Sequence, residues 1–226
     1  MSDTNYFISS IYSPMNIDSG FDRGIDFKEM KEKLIKVYGE ALKELIDLVE
    51  GQRSYITKKK KFTHRIIYIL ICMVQLFNGA RISEACHALS QFFITGDPDL
   101  KIVTKIAKSE SIKYKKTGEQ YTTKARYRYL IFPKKWIDFP SNLKDSIETY
   151  IAHINTNALK KRVLDYLLKY HKCNTHSLIY AYINYMLYTE KKEPSLVAKH
   201  VGHTSMAQLV RYTQKKESDK LFDIDI

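Results

Sequence analysis

Val201-Gly202-His203-Thr204-Ser205-Met206-Ala207-Gln208-Leu209-Val210-Arg211-Tyr212-Thr213 is the stretch on which the reading of this chain turns. It follows Pro194-Ser195-Leu196-Val197-Ala198-Lys199-His200, whose pattern predicts a short helix. Pro194 suits a first helical turn, where its missing N–H would have no partner anyway. Gly202 stops the helix, because glycine enters the left-handed conformation without steric cost. His203 is thereby placed on a tight turn, and the residues after it can form one more short helix that presents Tyr212 near its end. Upstream, Asn174-Thr175-His176-Ser177-Leu178 opens a further helix expected to run from about Ser177 to Tyr188. A histidine on a turn and a tyrosine on a terminal helix can together meet one phosphate.

Outward from this stretch, Phe77-Asn78-Gly79-Ala80-Arg81-Ile82-Ser83-Glu84-Ala85 sets an arginine after a glycine and before a helix expected to continue through Leu89. A guanidinium presents planar paired donors that match two non-bridging phosphate oxygens, which an ammonium cannot duplicate. Glu84, one turn on, is placed to orient Arg81 or the neighbouring backbone.

The two boxes, in this order, resemble the Gly-x-Arg-x-Ser-Glu box and the Leu-Gly-His…Tyr-Thr box of the tyrosine recombinase (phage integrase) family, in a mobile-element or archaeal form. Tyrosine alone is weak support, since the chain holds 17 of them in 226 residues; the second box carries the resemblance. It covers residues 55–213 and implies an α+β fold, mainly helical with a small antiparallel sheet. It also implies site-specific DNA recombination through a 3′-phosphotyrosyl intermediate, without metal or cofactor. Tyr212 would be the nucleophile, Arg81 and His203 would hold the phosphate oxygens, and His176 would accept or relay the tyrosine proton. A lysine on the small sheet would protonate the leaving 5′-oxygen; Lys108 is favoured, with Lys105 and Lys116 as alternatives. The partner implied is double-stranded DNA, with a dimer or tetramer assembled on it, in a cytoplasmic, nucleoid-associated setting.

One departure matters. The family follows His-x-x-Arg, and here His176 is followed by Ser177, Leu178 and Ile179. Isoleucine cannot donate to an oxyanion, and loss of one charged donor costs on the order of 3 kcal/mol in the transition state. Either another cation, such as Lys199 or Arg211, takes that place, or the chain is a weakened enzyme. As residues one helical turn apart, His176 and Ile179 are expected to face the same site. A non-cleaving DNA-binding or partner-binding module is the competing reading, and relaxation of DNA without a defined site is a third.

Composition agrees with a polyanionic partner. The formal charge is +12, and each lysine or arginine set against a phosphate releases a condensed counterion. Cys72, Cys86 and Cys173 are too few and too scattered for a disulfide framework or a zinc site, and Cys72 reads as a small buried hydrophobe. The most apolar run, Ile66 to Phe77, falls well short of the ~20 residues that span a bilayer, and predicts a core helix.

Residues 1–54 read as an arm and one helix, 55–213 as the catalytic domain and 214–226 as a tail. Members of the family usually carry a separate helical domain before the catalytic one, so a partial clamp and weak binding by the monomer are expected. Asp26-Phe27-Lys28-Glu29 gives a capping box, and Met30, Leu34, Val37, Ala41, Leu45 and Leu48 recur at helical spacing up to Gly51. Lys58-Lys59-Lys60-Lys61 reads as a solvated turn, or else as a clamp on DNA phosphates. Strands are expected over Lys101–Lys108, Ser111–Lys115 and Ala125–Phe132, with Tyr127, Tyr129 and Ile131 on one face and Arg128 and Leu130 on the other. Lys116-Thr117-Gly118-Glu119 marks a turn. Helices follow over Asn142–Ile151 and Asn157–Tyr170.

Overall fold

The computed structural model describes residues 24–50, 56–95, 102–107, 109–110, 112–115, 117–132, 136, 139, 141–203 and 209. Helix α1 (Phe27–Glu50) starts where Asp26 accepts the backbone N–H groups of Lys28 at 2.8 Å and Glu29 at 3.1 Å. This satisfies donors that the first turn leaves without partners. Its buried stripe is Met30, Leu34, Tyr38, Ala41 and Leu45. Tyr38 takes the inward place expected of Val37, and its hydroxyl donates to the Trp136 carbonyl at 2.9 Å.

Helix α2 (Ile56–Asn78) is the axis of the molecule. It contacts α1, α3 (Ile82–Thr95), α4 (Ser141–His153), α5 (Thr156–His171) and α6 (Thr175–Asn184). Ile66, Ile67, Ile69, Leu70, Ile71, Met73, Val74 and Leu76 are consequently buried all round, not on one stripe. Each such side chain contributes about 1.5–3 kcal/mol through burial. The lysine run is a correction to the expected turn, because α2 already begins at Ile56 and the lysines ride on its first turns. Among the described residues, no single helix is long and apolar enough to cross a membrane. Cys72, Cys86 and Cys173 are buried.

Among the described residues, four strands form two antiparallel pairs. β1 (Ile102–Lys105) pairs with β4 (Tyr127–Leu130), Ile102 opposite Leu130 and Lys105 opposite Tyr127. Between them, β2 (Ile112–Tyr114) and β3 (Gln120–Thr122) make a hairpin. It closes at Gly118, which has a φ of 83° and donates to the Lys115 carbonyl. The predicted alternation on β4 holds: Tyr127, Tyr129 and Ile131 are exposed, and Arg128 and Leu130 are buried.

Asn174 caps α6, its side-chain oxygen accepting from the N–H groups of His176 at 2.9 Å and Ser177 at 3.0 Å. The single helix expected through Tyr188 instead passes into a π-helical turn over Tyr185–Thr189. α7 (Pro194–His200) has Pro194 in its first turn, as its sequence requires. Gly202 then turns left-handed at a φ of 78°.

Candidate active site

Asn78 ends α2 and fixes the strand beside it. Its side-chain amide donates to the Ile131 carbonyl and accepts the Ile131 N–H, both at 2.9 Å. Gly79 follows with a φ of 56°, and a Cβ there would sit 2.5 Å from the Tyr182 ring. The position therefore admits only glycine, for conformation and for space. The sharp turn delivers Arg81 to the start of α3, with its side chain 28% exposed.

Glu84 is buried beneath it and gathers three segments. One carboxylate oxygen accepts the Arg81 N–H at 3.0 Å and Arg128 Nη2 at 2.6 Å. The other accepts Arg81 Nη1 at 3.3 Å and the Ala107 N–H at 2.9 Å. A buried carboxylate needs such a set of charged and polar donors to offset the water it has lost.

Arg128, also buried, spends both ends of its guanidinium on fixed partners. Nη1 donates to the carbonyls of Asn78 at 3.3 Å and His200 at 2.6 Å. Nη2 donates to the Gly79 carbonyl at 3.2 Å and to Glu84. Burial lowers its pKa, against the opposing pull of Glu84.

The turn after α7 closes the arrangement. Arg81 Nη1 lies 3.5 Å from the Val201 carbonyl, and Arg126 Nη2 donates to the Gly202 carbonyl at 3.2 Å. Gly202 rests on Ile106, whose Cγ2 would stand 2.7 Å from an added Cβ. The His203 N–H donates to the Ala198 carbonyl at 2.8 Å, which ties the histidine to α7. Burial pushes His203 down to about 4, with Arg81 and then Arg128 adding to the effect. Its imidazole is therefore neutral near pH 7, so one ring nitrogen donates and the other accepts.

Of the predicted site residues, Arg81 and His203 are brought together through Val201. His176 is exposed at the start of α6, whereas Ile179 is only 4% exposed and belongs to the core. The two therefore differ in exposure, and a charge at position 179 would sit in the core. Lys108, Lys116, Arg211 and Tyr212 lie outside the described residues. Lys105 is exposed and paired with Glu110 on the outward face of β1, and Lys199 is exposed on α7.

Known proteins place the chain. No family model matches it. A protein of the Sputnik virophage named "Putative integrase V10" is 41% identical over 211 residues, covering 92% of this chain and 91% of that one. The chain belongs to the integrase family. The "Putative integrase ORF241" of Acidianus two-tailed virus is 26% identical over 219 residues, covering 96% of this chain and 74% of the relative. Among solved structures, the XerH site-specific recombinase bound to its difH substrate aligns at a TM-score of 0.36 with 16% identity. The alignment covers 81% of this chain, and the chain spans about half (53%) of that one.

Two residues of the candidate site escaped the sequence reading. Arg128 had a visible signal, a charge on the strand face that carries Leu130, and an arginine on an inward face must have a buried partner. Arg126 had none, because its contact with Gly202 joins residues far apart in the chain.

Proposed function

We propose that this integrase is a site-specific DNA strand transferase of the tyrosine type. The observation that carries the proposal is the convergence of Arg81 and His203 at the Val201–His203 turn, with Glu84 holding the arginine in place. A positioned guanidinium and a neutral imidazole donor suit a phosphate whose non-bridging oxygens gather charge in the transition state. In the proposed step the Tyr212 oxygen attacks phosphorus and the bond to the 5′-oxygen breaks, leaving a 3′-phosphotyrosyl ester. The phenol proton passes to His176, and the departing 5′-oxygen takes a proton from Lys108. The ester retains the energy of the broken bond for joining to a second strand. The +12 charge supports duplex DNA as the partner.

A non-cleaving DNA-binding module is the second reading, and it is favoured by Ile179, whose core position supplies no charge to a phosphate. Incubation with nicked suicide duplexes, followed by a denaturing gel, separates the two. A covalent adduct that disappears in Tyr212→Phe, with noncovalent retention unchanged, is the expected result. Retention of duplex with no adduct would establish the binding module instead.

A further inference from the structure

Three arginines converge on the turn that carries His203, and their commitments differ. Arg128 is enclosed, and both terminal nitrogens are held by carbonyls and Glu84. Among the described residues, Arg81 gives only Nη1, to Glu84 and Val201. Arg126 gives only Nη2, to Gly202, among the described residues. Its Nε and Nη1 keep their donors, and the residue is half-buried, not enclosed.

The backbone of Arg126 is firmly set. Its N–H donates to Ser109 Oγ at 3.0 Å, and its carbonyl accepts from the Ile106 N–H at 2.8 Å and from Ser109 Oγ at 3.4 Å. Arg81 comes from the α2–α3 corner and Arg126 from the approach to β4, and they reach the carbonyls of two consecutive residues. Consecutive Cα atoms are about 3.8 Å apart, so the two side chains are anchored to the same short turn. Among the described residues, each has an uncommitted edge.

We infer that Arg126 is the second phosphate-binding guanidinium of this integrase, supplying from the β-sheet side the donor that the family's His-x-x-Arg pattern would place on α6. The inference rests on the strand-transfer reading above. Ile179 sits in the core, and a charge at its place would have to be buried. A second fork arriving over Gly202 supplies the missing donors without disturbing α6. Two planar guanidiniums can each engage a non-bridging oxygen of one phosphate, the geometry for which arginine is better suited than lysine.

The test uses the full chain and a nicked duplex recovered from a randomised library by covalent retention on the wild-type protein. Single-turnover adduct formation is compared on two forms of that duplex, one with an ordinary scissile phosphate and one with a neutral methylphosphonate. Arg126→Gln is expected to slow the reaction about a hundredfold or more on the phosphate, the usual cost of one such donor. Duplex retention should stay within about twofold, since one of many phosphate contacts is lost. On the methylphosphonate the variant should come within a few-fold of the wild-type protein on that same duplex, because the charge that Arg126 would neutralise is gone. Arg126→Lys keeps the stem and the charge and serves if the glutamine variant folds poorly; it is expected to lose about tenfold on the phosphate. Wild-type rates in both variants, or an equal deficit on both substrates, would overturn the assignment and leave the wild-type adduct standing. If the library yields no adduct with wild-type protein, the strand-transfer reading itself fails, and this inference with it.

Discussion

Glu84 shows how much one side chain can hold. Its two oxygens fix the entry to α3, the loop after β1 and the Arg128 guanidinium. Breaking a buried pair leaves an uncompensated charge, at a cost of about 3–5 kcal/mol. Glu84→Gln keeps the shape and removes the charge, so unfolding in urea should show a loss of about 3 kcal/mol; a change under about 0.5 kcal/mol would mean that Arg128 is held by its carbonyls alone. Histidine ionisation gives a second prediction. His171 and His203 are each pushed down to about 4, in both cases chiefly by burial. A histidine whose pKa is lower folded than unfolded contributes stability that is complete above about 6.5 and lost as the pH falls toward 4. Each contributes on the order of 2–3 kcal/mol over that window. His171→Leu should therefore flatten the stability profile between pH 6.5 and 4 by about that amount. Denaturant midpoints measured across the range check it, and an unchanged slope would show that His171 is protonated in the fold.

The elements divide by how far apart in sequence their determinants lie. The start of α1, the first turn of α7 and the left-handed Gly202 were legible because Asp26, Pro194 and Gly202 act on their own neighbours. The β4 alternation was legible for the same reason. The centre of the site was not: Glu84 meets Arg128, and Arg126 meets Gly202, only after the helices and the sheet have packed. His-x-x-Arg spacing describes one edge of a helix, whereas α6 is enclosed along most of its length. From Ser177 to Asn184 every residue is buried, and only His176 in the first turn is exposed. Ile179→Arg is accordingly not expected to repair the site. It should lower stability by about 3 kcal/mol or more, as a charge is driven into the core, and leave adduct formation flat or reduced. A thermal melt beside the single-turnover assay decides, and a rise in rate with the melting temperature preserved would return position 179 to the active site.

At the scale of the whole molecule, α2 separates two kinds of cation. Lys59, Lys60 and Lys61 ride on its beginning, where Lys59 and Lys60 share a cleft with His64, Tyr150, His153 and Arg162. Arg81 follows its other end. At about 1.5 Å per residue the two lie on the order of 30 Å apart. That is about nine base pairs of duplex, at roughly 3.4 Å each. The lysines are therefore too distant to touch the phosphate that Arg81 holds, yet one duplex is long enough to span both. Binding and chemistry should then separate cleanly when all three lysines are changed to alanine. The slope of log affinity against log salt should fall by about 0.9 for each lysine that had met a phosphate, to a limit near 3 for the three. The rate of adduct formation at saturating DNA should remain within about twofold of wild type, because no group at the scissile phosphate has changed. An unaltered salt slope would assign the lysines to solvent, and a fall in the saturated rate would show that the far end of α2 acts on the chemical step through the helix itself.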